Sequence, residues 1–157
     1  MHEVFSDAIE RLSNGEKVVV ATVVRTKGST PQKPGAKLIV REDGSGAGTL
    51  GGGCVEGDIW FAAKQLMQDG GSTEYREYEL NEDLAADDGL VCGGTMYFLI
   101  DPVYSPDAYL PYASEIDKAY SGEGAVALAT VVKSGSDANS RIGDKLFVRE
   151  NGNLKAL

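Results

Sequence analysis

Apolar positions at the start of the chain recur every three to four residues. Val4, Phe5, Ala8, Ile9 and Leu12 share one face, and Asn14-Gly15 supplies a stop, so the spacing predicts an amphipathic helix over 3–12. Residues 17–26 are nearly continuous in Val, Ala and Thr, the pattern of a strand covered on both faces, and 37–41 reads as a second strand. Gly and Pro punctuate 27–35 and forbid regular structure there. Glu42-Asp43-Gly44-Ser45-Gly46 has turn chemistry, with 47–50 returning as a short strand. Val55, Ile59, Ala62, Ala63, Leu66 and Met67 then form a helical stripe over 55–68, closed by Gly70-Gly71. Alternation over 74–80 predicts a strand, 81–88 an acidic loop, and 95–100 a further strand ended by Asp101-Pro102.

Residues 107–120 read as a helix of mixed character. Beyond it the text of 15–49 returns in 122–157. Ala21-Thr22-Val23-Val24 recurs as Ala129-Thr130-Val131-Val132, and Lys37-Leu38-Ile39-Val40-Arg41-Glu42-Asp43-Gly44 as Lys145-Leu146-Phe147-Val148-Arg149-Glu150-Asn151-Gly152. One supersecondary unit used twice predicts copies packed in a common sheet. The expected fold is α/β, a mixed β-sheet built from two related β-hairpin units flanked by helices. The expected division is a site-bearing unit over 1–104 and a second unit over 105–157, which stops where the glycine run of the first would begin. That ending reads as a piece of a longer protein, or one completed by another chain.

Composition narrows the function classes. The chain of 157 residues is 42% hydrophobic with interspersed charges, enough to bury a core. A net charge of -9 disfavours nucleic acid and anionic lipid as partners. No apolar run approaches the roughly 20 residues that span a bilayer, and the start lacks the pattern of a signal peptide, so the cytoplasm is the expected location. His2 is the single histidine, which leaves no complete catalytic triad.

The two cysteines, Cys54 and Cys92, both stand beside glycines. Gly51-Gly52-Gly53-Cys54 opens the second helix, where close backbone approach and unpaired amides suit an anion, with Glu56 in the first turn. The plain alternative is a tight strand-to-helix turn with an inert thiol. Gly46, Gly48 and Gly51 match a dinucleotide fingerprint formally, but the hairpin ahead of them is the wrong context, and no NAD is expected. Cys92-Gly93-Gly94 leads directly into a strand, so its sulfur could lie beside Cys54. Two such thiols could hold a soft metal, pass sulfur or form a disulfide, and the residues alone do not choose. Arg25, Lys33 and Lys37, with Ser29, surround the 28–31 loop and offer charge and hydroxyl to a phosphate.

Four segments in order, Val23 to Pro31, Gly35-Ala36-Lys37, Gly48 to Glu56 and Gly89-Leu90-Val91-Cys92-Gly93-Gly94, resemble the N-terminal part of the XdhC/CoxI family of xanthine dehydrogenase accessory factors. The resemblance covers about 15–102, with the second unit resembling the following segment. It implies an accessory protein that binds molybdenum cofactor (molybdopterin) as cargo and assists its sulfuration and insertion into an apo molybdenum hydroxylase of the xanthine or carbon monoxide dehydrogenase type. A cysteine desulfurase would be a second partner, and a homo-oligomer or a completing chain is compatible. Carried onto this chain, Gly51, Gly52, Gly53, Cys54, Glu56, Cys92, Gly93 and Gly94 form the site, with Cys54 and Cys92 as molybdenum contacts or catalytic thiols. Arg25, Ser29 and Lys37 would contact phosphate or pterin. The Rossmann-like domain that follows in full-length relatives is absent from these residues. Two other readings stay open: a thiol-dependent oxidoreductase or sulfurtransferase using Cys54 and Cys92, and a structural subunit.

Overall fold

A computed structural model describes residues 2–80, 93–136 and 139–156. The first helix, α1, covers His2–Ser13 and buries Val4, Ala8 and Leu12. Strand β1 (Val18–Lys27) follows, then β2 (Lys37–Arg41), β3 (Gly46–Gly48) and helix α2 (Gly53–Asp69). Strands β4 (Glu74–Glu79) and β5 (Thr95–Val103) complete a sheet of order β3-β2-β1-β5-β4, in which every pairing is antiparallel.

Alternation along the strands sends two apolar sets to opposite faces of this sheet. Val19, Ala21, Val23, Leu38, Val40, Met96, Phe98 and Ile100 pack against Val55, Ile59, Ala62, Ala63 and Leu66 of α2. Val18, Val20, Ile39 and Val103 pack against Val4, Ala8 and Leu12 of α1. The first half of β1 is therefore buried on both sides, as its unbroken apolar run predicts.

Three expectations are corrected. The segment 107–120 is not one helix: Pro106 and Pro111 sit in two short 3-10 turns, and helix α3 covers only Ala113–Tyr120. A proline ring fixes its own backbone and removes a donor, which resets the chain twice before α3 can propagate. Asp101-Pro102 does not end β5, which runs on to Val103. Beyond Ile100 the β4 side of β5 is unpaired, so the missing proline donor costs no ladder bond. The two hairpin units do not share a mixed sheet either. Strands β6 (Val126–Thr130), β7 (Lys145–Arg149) and β8 (Leu154–Ala156) form their own antiparallel sheet.

The two sheets nonetheless have corresponding registers. Val18↔Arg41 and Thr22↔Lys37 in one match Val126↔Arg149 and Thr130↔Lys145 in the other. Arg41 grips Asp7 of α1, and Arg149 holds Glu115 of α3 at 2.6 and 2.7 Å. The second sheet lies on the α1 side of the first: Leu128 reaches both the α1 cluster and the cluster of Tyr112, Ile116 and Phe147. Among the described residues no helix is long and apolar enough to cross a membrane.

Candidate functional site

Three glycine-bearing segments meet at the end of the first sheet where β1 and β2 are joined. A Cβ on Gly94 would lie 2.3 Å from the Ser29 carbonyl oxygen and 2.7 Å from that of Lys27, so only glycine fits against the 28–31 loop. Gly28 approaches Gly93 and Gly94 from the other side, and Leu80 N donates to the Gly94 carbonyl at 2.8 Å. On the opposite flank, a Cβ on Gly51 would fall 2.7 Å from the ring of Pro31. The loop after β1 is therefore clasped between Gly93-Gly94 and Gly51.

The turn into α2 is built by backbone conformation and by one carboxylate. Gly51, Gly52 and Gly53 take φ of 113°, 75° and 68°, a left-handed run that side chains resist. Glu56 Oε2 accepts from Leu50 N at 2.7 Å, Gly52 N at 3.1 Å and Thr49 Oγ1 at 2.8 Å, while Gly51 N donates to Thr49 Oγ1 at 3.0 Å. Burial opposes ionisation of Glu56, and these hydrogen bonds together outweigh it, holding the carboxyl below its ordinary range. The amides of 50–52 are thus satisfied within the chain. What faces outward is the next turn: Gly53 and Cys54 are exposed, and nothing lies within 4 Å of a Cβ placed on Gly52 or Gly53. A ligand can approach that backbone closely beside a free thiol.

The expected site residues divide by face. Gly51, Gly52, Gly53, Cys54 and Glu56 cluster at the start of α2, with Ser29, Gly93 and Gly94 on the adjoining loops. Cys92 and the acidic stretch 81–88 lie outside the described residues. Arg25 and Lys37 are not brought to Cys54. Arg25 lies over the ring of Tyr97 at 5.3 Å, and Lys37 lies on the α1 side of β2, its Nζ donating to Thr22 Oγ1 at 2.8 Å. Both point away from the face that α2 covers. Lys27, the last residue of β1, follows Arg25 by two in register and shares its face, and Lys33 is the exposed cation on the clasped loop.

Sequence reasoning missed Asp101. This carboxylate is 6% exposed, 2.6 Å from Lys145 Nζ and 2.7 Å from Thr73 Oγ1, and it ties the second sheet to the first. The signal was present: an aspartate directly after an apolar run must find partners once that run is buried.

These features define an α/β protein whose glycine loops gather at one sheet end around an exposed thiol. Residues 11–79 match the XdhC and CoxI family, and the chain belongs to it. Two curated relatives are the molybdenum cofactor insertion chaperone PaoD of Escherichia coli, 32% identical over 111 residues (71% of this chain, 34% of the relative), and a probable xanthine dehydrogenase subunit of Bacillus subtilis, 28% identical over 145 residues (91% and 41%). The crystal structure of a xanthine dehydrogenase from Bacillus halodurans shares the fold at a TM-score of 0.72 and 24% identity, covering 97% of this chain and 44% of that one. The chain thus spans under half the length of each of these three relatives.

Proposed function

We propose that this chain is a maturation factor that holds molybdenum cofactor as cargo and delivers it to an apo molybdenum hydroxylase, with the site carried by residues 1–104. The observation that carries the reading is the open left-handed turn at Gly52-Gly53 beside the exposed Cys54, in a chain similar to a molybdenum cofactor insertion chaperone. A thiolate is a soft donor suited to molybdenum, and glycine backbone lets the flat pterin body lie close. Lys33 on the clasped loop supplies positive charge for the cofactor phosphate. Cys92 is the second thiol of the proposal, two residues before Gly94. Glu56 contacts the loop and not the cargo; it sets the turn that presents Cys54.

The test is anaerobic incubation with molybdenum cofactor followed by metal and pterin analysis. The native chain should retain both in stoichiometric amount, and Cys54→Ser and Cys92→Ser should each retain less. Equal retention by all three removes the thiols from the site, and no retention by the native chain removes the function. Assistance with sulfuration adds a further expectation: a persulfide on Cys54 after incubation with a cysteine desulfurase and cysteine, read by mass spectrometry.

A further inference from the structure

On the side of the first sheet away from Cys54, the second sheet leaves a cleft. One part, about 570 Å³, is lined by Phe5, Tyr120, Leu128 and Phe147 among others. An adjoining part of about 300 Å³ shares Gly35, Lys37, Leu128 and Thr130 with it. The walls are mainly apolar and aromatic. Two polar groups converge where the parts join.

Lys37 supplies the charge. Its ammonium carries three donors, of which one reaches Thr22 Oγ1, and it stands 5.7 Å from the centre of the Phe5 ring. It makes no other hydrogen bond within the described residues. Asp101, the nearby carboxylate, is already engaged by Lys145 and Thr73. The Thr130 hydroxyl likewise has no hydrogen-bond partner among the described residues. An ammonium with unfilled donors in an apolar cleft is under-solvated, and burial lowers its pKa to about 8 against the opposing effect of Asp101, with Lys145 adding to the lowering.

We infer that this cleft is a second ligand site, separate from the thiol site, and that it takes a small, largely apolar organic acid whose carboxylate seats on Lys37 and Thr130. A pocket of this size and character, with a few convergent polar groups, is the usual form of a small-molecule site. The single cation selects a monoanion: a dianion such as phosphate would be left undercompensated in a protein of net charge -9. The rings of Phe5, Tyr120 and Phe147 select a flat apolar body.

The probe is 2-naphthoate, paired with its neutral isostere 2-naphthamide, titrated into the intact chain and followed by calorimetry and amide NMR. The acid should bind saturably at one site, shifting the amides of Gly35, Leu128 and Thr130. The neutral amide should bind at least about 10-fold more weakly, since a hydrogen bond to a charged group contributes about 1.5–3 kcal/mol. Lys37→Gln should erase the difference between acid and amide, and Thr130→Val should weaken the acid about 2- to 5-fold. Both variants are first checked for native melting. If Lys37→Gln does not fold, the native acid-to-amide ratio and the shift map decide alone. Equal binding of acid and amide, shifts mapping elsewhere, or no saturable binding overturns the inference and leaves the cofactor reading untouched.

Discussion

The carboxylate of Glu56 sits on the amide of Gly52, four residues before it and at the N-terminus of the same helix, at 3.1 Å. The turn that an external anion was expected to fill is therefore organised by the chain's own anion. Glu56→Ala releases the amides of Leu50 and Gly52 and the Thr49 hydroxyl together. Amide hydrogen exchange should rise at Leu50 and Gly52, while the rest of α2 keeps its protection.

Acid should act on the same turn. The folded carboxyl of Glu56 titrates below its ordinary range, so its stabilisation is fully present above the unfolded value near 4.3 and is lost as pH falls through the folded value. Amide exchange or NMR line shape at Gly51–Gly53 followed below pH 4 should show the turn loosening before global unfolding. A turn that stays ordered until the whole chain unfolds would contradict this.

The glycines separate by cause. Gly94→Ala drives a methyl into the Ser29 and Lys27 carbonyls and should cost about 2–4 kcal/mol in urea unfolding. Gly53→Ala meets open space and bears only the left-handed backbone, a cost of about 1–2 kcal/mol. Similar costs for both would mean that the clasp on the 28–31 loop is loose.

Lys145→Met leaves Asp101 buried without its cation. The expected loss is about 3 kcal/mol, and Lys145→Met combined with Asp101→Leu should recover a large part of it, as removal of both partners of a buried pair does. A double-mutant cycle on urea midpoints measures the coupling.

Lys37 predicts an unusual alkaline profile. Its folded pKa of about 8 lies below the ordinary value of 10.5, so between these the unfolded chain binds the extra proton and stability rises with pH. The groups facing it are Asp101 and Lys145. Above pH 10 buried Tyr109, pushed upward by burial and then by Asp101, works the other way, because only the unfolded phenol ionises readily. Native stability minus that of Lys37→Met should therefore increase by about 2 kcal/mol from pH 8 to 10. A flat difference would mean that water reaches the Lys37 ammonium.

Much of the first unit was legible from spacing. The stripe Val4, Ala8, Leu12 gives α1, the apolar run of β1 gives its two-sided burial, and the glycine run gives the turn into α2. Arg25 and Lys37 were expected at the phosphate beside Cys54, and the structure sets both on the other face of the sheet for a geometric reason. Their nearness to Gly28 in the chain says nothing about which face of a strand they occupy, and a β-bulge between Val23 and Arg25 shifts the count further. The single helix expected over 107–120 failed because the backbone constraints of Pro106 and Pro111 outweigh the apolar spacing around them.

Local chemistry could be read directly from the order of the residues. Periodicity names the helices and strands, glycine and proline mark where the backbone must turn, and the ordered motifs carry the family, because each of these acts over a few residues and is written in adjacent letters. The company each residue keeps emerged only on folding: Glu56 occupies the amides, Asp101 finds Lys145, and Lys37 faces a cleft between two sheets rather than the thiol. Those outcomes depend on strand order and on the side from which the second sheet packs. They are fixed by burial of apolar faces far apart in the chain, which local spacing does not encode.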